Sequence, residues 1–400
     1  MSVAHNQLRI ARELWTRLQP LNRGVPARLQ TLLADRRFGS RDRRLYRELL
    51  FTALRQARAL AALPADADLA WAARLAATCA ATRETEAFRA TFTDPCALAA
   101  GCNLDLVPTW FLSECETATG HPDAASLAAA LLERAPVWVR LQTDNPDAVF
   151  AEWSARGWIP GPHPALTGAY KLPPETNLTA CPAYQAGRYE IQDLGSQLIL
   201  ASLDLPACSP GPRWLDVCAG AGGKTLQLAR LLGSAARIDA SDIRPAALVE
   251  LSARASRAGL GDRVRAVKNT TRAGSPAYDG VLVDAPCSGS GTWRRAPHLM
   301  ACTSVADLVA AAELQTRILA EASAHVRAGG LLVYATCSIA CRENEAVVAA
   351  FLASPEGRAF TVAPPANDFG FPRTAHGLAL VPGREDNDGF YVAALRRAAA

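Results

Sequence analysis

The chain has 400 residues, half of them apolar, with a net charge of +4. That length exceeds one typical domain, and the apolar content is ample for a sizeable core. No apolar run reaches a membrane span, and the start "MSVAHNQLRIARELW" carries charge where a signal peptide requires an apolar stretch, so a cytoplasmic protein is expected. The eleven cysteines are odd in number and lack the spacing of a disulfide framework. There is no C-x-x-C pair and no Cys/His cluster, so no metal is expected.

Residues 1–130 read as an all-helical domain. "NQLRIARELWTRLQ" places Leu8, Ala11, Leu14 and Leu18 at helical spacing. "SRDRRLYRELLFTALRQARALAAL" offers Ser40 as N-cap and turns Leu45, Leu49, Phe51 or Thr52, and Leu54 toward one side. The same segment crowds Arg36, Arg37, Arg41, Arg43, Arg44 and Arg47 together. Such a run is either a solvated helix face, its arginines pairing with Asp42 and Glu48, or a nucleic-acid contact.

Residues 131–190 read as a small α+β module. Val137, Val139 and Leu141 alternate with Trp138, Arg140 and Gln142, a strand pattern, and prolines from Pro160 to Pro182 then break the chain into turns. Residues 191–400 alternate strand with helix. "RWLDVCA", "ARIDASDI", "RVRAVKN", "YDGVLVDAP" and "GLLVYATCS" are the strands, with helices such as "GKTLQLARLLG" and "RPAALVELSARASRAG" between them, and "GFYVAALRRA" supplies a further edge strand. This predicts an α/β fold with a doubly wound, Rossmann-like parallel sheet.

Where the first of these strands meets its helix stands "LDVCAGAGGKT". Glycines there let a ligand approach the backbone, and the helix start offers free amides. Cys218 occupies the position where a P-loop requires glycine. Asp242 follows about twenty residues later at the end of the second strand, placed to accept hydrogen bonds from ribose hydroxyls. NAD and S-adenosylmethionine both fit that arrangement. Two later strands each end in a cysteine, in "DAPCSGSGTWRR" and "YATCS". A lone strand cysteine is ordinarily a small core residue. Both thiols here stand at carboxyl ends, where open α/β sheets bind ligands.

"DVCAGAGGKT", "DAPCSGSGTWRRAP", "YATCS" with "ENEAVV" after it, and "PGREDNDGFYVAAL" together resemble the RNA cytosine-C5 methyltransferases of the Sun/Fmu type, the bacterial 16S rRNA group. "GRYEIQDLGSQL" is similar to the entry of their catalytic domain, and "DRRLYRELLFTALR" to a piece of their NusB-like helical domain. The resemblance implies a monomeric enzyme methylating carbon 5 of an RNA cytosine, most simply in rRNA. Methylation of tRNA, or an assembly factor without catalysis, are the alternatives. It implies Cys337 as the thiolate attacking carbon 6, Cys287 as the residue of product release, and Asp284 on the amino and N3 edge of the base. Lys224 would lower a thiol pKa or hold a carboxylate. S-adenosylmethionine would lie along Cys218, Ala219, Gly220, Ala221, Gly222, Gly223 and Lys224, with Asp242 on its ribose and Asp284 beside it. Asn269 or Thr271 stands where the family carries an acid near adenine. Arg294 and Arg295 would meet RNA phosphates, as would Arg43, Arg44 and Arg47 on the helical domain. His298 takes the place of a usual aspartate.

Overall fold

The computed structural model describes residues 2–94, 103–116, 123–173, 176–205, 211–267 and 278–399. The chain divides into two compact units. Met1–Ser113, Pro122–Arg134 and Thr292–Val305 make the first, and Glu114–His121, Ala135–Gly291 and Ala306–Ala400 the second.

The described residues of the first unit are helical. Ser2 caps the helix Val3–Leu18, its side chain accepting from the His5 amide. Leu8, Ala11, Leu14 and Leu18 are buried on it, as their spacing predicts. The helix Ser40–Arg55 buries Leu45, Tyr46, Leu49, Leu50, Thr52, Ala53 and Leu54, while Phe51 is half-buried. Ser40 is its first helical residue rather than its cap. The cap is Gly39, because Asp42 reaches back to accept the Gly39 N–H at 3.0 Å. Helices Val25–Leu33, Ala57–Ala61, Asp68–Thr78, Glu86–Phe92, Ala124–Leu132 and Pro297–Cys302 also belong to the unit.

The second unit holds two sheets. In the smaller, strands β1 (Val137–Leu141), β2 (Gly161–Pro162), β3 (Ala169–Leu172) and β4 (Tyr189–Ile191) pair antiparallel in the order β2-β3-β1-β4. The alternation read for β1 does not translate into one wet face. Val139 and Leu141 join a cluster with Trp153 and Tyr189, while Trp138 packs with Leu194 and Leu198 on the other side. Both faces are covered, so Arg140 is buried and donates to Gln192 at 2.7 Å.

The larger sheet comprises β5 (Arg213–Asp216), β6 (Arg237–Ala240), β7 (Val264–Ala266), β8 (Tyr278–Asp284), β9 (Val326–Thr336), β10 (Phe360–Ala363), β11 (Leu378–Leu380) and β12 (Phe390–Arg397). Its order is β10-β12-β9-β8-β5-β6-β7, with β11 also on β12. Strands β5 to β9 are mutually parallel, and β12 runs antiparallel to β9. The chain winds outward from β5 through β6 to β7, then returns to β8 and winds the other way. The switch point thus lies between β5 and β8, where doubly wound sheets open a crevice at their carboxyl ends. The strands are buried on both sides, by clusters around Leu198, Leu228 and Leu251 and around Leu319, Val348 and Phe351. Neither β10 nor β11 was expected from the sequence; both are short antiparallel pieces held by β12. Among the described residues no helix is long and apolar enough to cross a membrane.

Gly280 lets the ring of Trp214, on the adjoining β5, lie against β8, and a Cβ added there would fall 2.3 Å from that ring. Gly280→Ala should therefore destabilise the protein by about 1–3 kcal/mol through overpacking. A urea titration following tryptophan emission should show a lower midpoint; an unchanged midpoint would mean the strand pair yields at little cost.

Candidate active site

Four strand ends build the site. Strand β5 ends at Asp216 and runs through Val217 and Cys218 into the glycine turn, β6 leads to Asp242, β8 ends at Asp284, and β9 leads to Cys337. Register places Asp284 opposite Ala335 on β9 and Asp216 opposite Leu282 on β8. Residues just beyond those pairs therefore emerge side by side.

The glycine turn has Gly220 at φ +54° and Gly222 at φ +89°. That left-handed backbone is strained for any residue with a Cβ, and at Gly222 one would also meet Leu251 at 2.9 Å. The turn is braced from two sides. Asp242 accepts the Gly220 N–H at 2.9 Å and both the amide and the guanidinium of Arg244, while Arg254 donates to the Ala221 carbonyl at 2.8 Å. Arg254 is itself held by Glu190, which also takes Arg257. Burial works against the Asp242 charge, but the bonds from Arg244 and Gly220 hold its carboxyl below the usual range.

Lys224, in the first turn of the helix Gly223–Leu231, points back to the strand ends and donates to Asp284 at 2.8 Å. Its ammonium also lies 5.1 Å from the centroid of Phe390. Burial opposes the charge on Lys224, but Asp284, then Cys337 and Asp216, keep the amine above its ordinary value. Asp216 is fully buried, accepts the Thr225 hydroxyl at 2.7 Å, and its Oδ1 has no hydrogen-bond partner among the described residues. Burial pushes it up to about 7; the Thr225 bond opposes this and the Asp284 charge adds to it. Burial, with the charges of Asp216, Asp284 and Asp242, pushes the Cys218 thiol up to about 12. Cys218 is a neutral lining residue at physiological pH.

The Cys287 and Cys337 sulfurs lie 3.3 Å apart, beyond a covalent bond of about 2 Å and within reach of a thiol hydrogen bond. That bond, then burial and the charges of Cys337 and Glu343, hold the Cys287 thiol well above the ordinary value. Either sulfur can be the donor of that bond, and the two thiols stand within reach of one reacting atom.

Of the residues singled out from the sequence, Cys337, Cys287, Asp284, Lys224, the turn 218–223 and Asp242 all stand at the carboxyl ends of one sheet. Asn269 and Thr271 lie outside the described residues. Arg294 departs from expectation: it is only 1% exposed and donates to the Arg134 carbonyl, so it is not presented to a phosphate. Arg295 beside it is exposed. His298 is buried, which lowers its pKa and keeps it neutral. Arg43, Arg44 and Arg47 are exposed on their helix. The pairing considered for them fails, because Arg44 meets Glu84 at 2.9 Å while Glu48 faces Arg134 and Asp42 serves the cap. Sequence reading missed Asp216 and Glu343. An acid inside the apolar run "RWLDVC" was the available signal for the first.

The model of the 16S rRNA methyltransferase RsmB/F family matches residues 205–396. Ribosomal RNA small subunit methyltransferase B of Klebsiella pneumoniae (strain 342) is 30% identical over 302 residues, covering 73% of this chain and 66% of that protein. Its namesake from Escherichia coli O6:K15:H31 is 30% identical over 296 residues, 72% of this chain and again 66% of the relative. The chain thus spans 66% of the length of the curated relatives it matches. The crystal structure of PH0851 superposes with a TM-score of 0.77 at 21% identity, over 99% of this chain and 100% of that one. NSun6 from Pyrococcus horikoshii with SFG gives 0.64 at 18% identity, over 73% of this chain and 99% of that one. The fold is that of these structures, and residues 205–396 are similar to the 16S rRNA methyltransferase RsmB/F family.

Proposed function

We propose that this protein transfers a methyl group from S-adenosylmethionine to carbon 5 of a cytosine in 16S rRNA, through a covalent adduct on Cys337. The observation that carries the reading is the pair of thiols 3.3 Å apart beside the Lys224–Asp284 ion pair. One nucleophile would suffice for simple methyl transfer to an electron-rich atom. Carbon 5 of cytosine needs a second group to make it nucleophilic and a way to lose its proton.

The residues present fit the cofactor. An added Cβ at Gly223 meets nothing within 4 Å, so the turn faces open space that a ligand can fill. The lining is neutral Cys218 with the carboxyl groups of Asp242 and Asp284, and Lys224 is the cation beside them, a set suited to a sulfonium. When bound, S-adenosylmethionine supplies an electrophilic methyl group. Residues 218–223 would hold its methionine part and Asp242 its ribose hydroxyls. The named relatives are ribosomal RNA methyltransferases and the NSun6 structure carries SFG, which supports the same substrate class and cofactor site.

The target base must leave its stack to reach Cys337. The Cys337 thiolate forms a bond to carbon 6, and the displaced ring electrons make carbon 5 nucleophilic. N3 takes a proton from water in that step and returns it at the end, and Asp284 accepts hydrogen bonds from the amino group and the protonated N3, stabilising the charge that develops, while Lys224 holds the Asp284 carboxyl in place. Carbon 5 takes the methyl group. Once Cys337 is a thioether, it no longer holds Cys287 protonated. Cys287 can then lose its proton to water and accept the carbon 5 proton as the sulfur–carbon 6 bond breaks.

Cys337→Ala should abolish methylation and form no RNA adduct, while cofactor binding measured by calorimetry stays near the parent value. Cys287→Ala should accumulate a protein–RNA adduct that survives denaturing electrophoresis and disappears in the double variant. An adduct of equal yield in Cys287→Ala and the double variant would overturn both roles.

Asp242→Ala should weaken S-adenosylmethionine binding by about 1–3 kcal/mol, since ribose hydroxyls lose a charged acceptor. Unchanged affinity in calorimetry would place the ribose elsewhere.

Arg43, Arg44 and Arg47 support rRNA docking on the helical unit, since all three are exposed, with Arg44 meeting Glu84 at 2.9 Å. Reversing all three to glutamate should weaken RNA binding and flatten its salt dependence by up to about 0.9 in log–log slope per lost phosphate contact. Cofactor affinity should not change. An unaltered slope in the folded variant would make this a solvated helix face.

A further inference from the structure

We propose that Glu343 is a positioning residue for methyl transfer: its carboxylate ties the loop that carries Cys287 to the loop that carries Cys337 and thereby fixes the distance between the two sulfurs. The proposal rests on the reading of those cysteines as the reacting pair.

Glu343 ends a short 3-10 turn, Cys341–Glu343, a few residues past Cys337, and its side chain is fully buried. A buried carboxylate is costly unless its oxygens are satisfied. Here four donors meet it. Oε1 accepts the Ser288 amide at 2.8 Å and the Gln315 amide nitrogen at 3.1 Å. Oε2 accepts the hydroxyls of Ser288 and Ser338, the latter at 2.6 Å. Ser288 follows Cys287 and Ser338 follows Cys337, so one carboxylate holds the residue next to each thiol. Gln315 extends the clamp, since its amide nitrogen also donates to the Pro286 carbonyl at 2.9 Å. Tyr334 fixes the turn by donating to the Glu343 carbonyl at 2.6 Å.

The clamp is aimed away from the ligand. The thiols are half-buried, whereas Ser288, Ser338 and Glu343 are closed to solvent. A group so placed does not touch the base. It acts on two loops beyond the last ladder pairs of β8 and β9, where the backbone bonds of Ala285 to Ala335 and of Gly291 to Cys337 are joined by this side-chain clamp. A displacement of about 1 Å at a reacting atom can cost about 100-fold in rate, so the clamp is where such a displacement would be prevented.

The sulfur–sulfur distance can be read without RNA or methyl donor. The full chain is treated with dibromobimane, which bridges neighbouring thiols, and the Cys287–Cys337 cross-link is quantified by peptide mass spectrometry. Glu343→Ala should lose most of that cross-link, about tenfold or more, and its kcat should fall about 100-fold with KM for RNA little changed. Glu343→Gln, which keeps the length and one acceptor oxygen, should recover much of the cross-link. A folded Glu343→Ala protein that cross-links as the parent does would overturn the proposal. Should Glu343→Ala fail to fold, Glu343→Asp keeps the charge but is one methylene too short to reach both loops. It should lose the cross-link, and parental yield in it would overturn the proposal equally. Failure of the cysteine roles would show differently, as normal methylation by Cys337→Ala with the cross-link of Glu343 variants still following this order.

Discussion

The parallel pairing of β8 with β9 is the constraint on which the site depends. Adjacent strands lie about 4.8 Å apart, so residues leaving their ends at matching register start within reach of each other. Asp284 stands opposite Ala335, and three residues later on one strand and two on the other come Cys287 and Cys337. The pairing continues into the loops. Ala285 donates to the Ala335 carbonyl at 2.8 Å, and Gly291 donates to the Cys337 carbonyl at 3.0 Å. Gly291 in turn accepts from Gly389 just before β12, and a Cβ on Gly291 would fall 2.0 Å from the Gly389 carbonyl. Three strand ends are thereby laced together by backbone alone, and the side chains around them are free to serve chemistry.

Charge is distributed over that frame unevenly. Asp216, Asp242 and Asp284 share the switch point with one lysine, and the protein separates their behaviour by environment. Asp242, bonded to Arg244 and the Gly220 amide, stays ionised. Asp216, buried with one oxygen unpartnered among the described residues, is pushed up to about 7. Asp284 sits at the end of β8 with Lys224 against it. The same contrast separates the thiols. Cys218 and Cys287 are both held protonated, the first by burial and the second chiefly by the hydrogen bond with Cys337. Burial contributes to both, so what distinguishes them is the second sulfur 3.3 Å from Cys287.

Strands β8 and β9 were legible because each is a continuous apolar run, and the site was legible because the runs end in Asp-Ala-Pro-Cys, Ala-Thr-Cys and a glycine turn. Strands β10 and β11 were not, since each is three or four residues long and exists only as a partner of β12. The fate of Arg294 was equally hidden: the sequence offers two adjacent arginines, and only the fold decides that one is buried against the Arg134 carbonyl while Arg295 is exposed. Ser40 against Gly39 as cap is a difference of one residue that turns on whether Asp42 bends back. Glu343 illustrates a deeper limit. In "CRENEAVV" it reads as one of two solvated acids at a helix start. Glu345, two residues on, is half-buried and accepts from the Tyr391 hydroxyl and the His376 amide. Nothing in the spacing tells which partners either acid finds.

The interior of the thiol loops explains why a serine follows each cysteine. Successive side chains on an extended segment point to opposite sides. If the thiol is to face the ligand, the next residue must face the protein, where the space is already occupied by a carboxylate. A hydrophobic residue there would leave that carboxylate unsatisfied, and a larger polar one would push the loops apart. Serine supplies a donor with little volume, and Ser290 repeats the pattern by linking to Ser338 at 2.9 Å while accepting the Ile339 amide. The result is a small polar core beneath two reactive groups, in a region where parallel sheets are otherwise packed with aliphatic side chains. Its polarity follows from geometry: loops that leave a sheet end lose their ladder hydrogen bonds, and their buried amides must find acceptors elsewhere. Glu343, the serines and Asn344, which donates to the Ser338 carbonyl at 2.9 Å, are those partners. The same hydrogen bonds that make the loops stable also make them rigid, and the thiols inherit that rigidity.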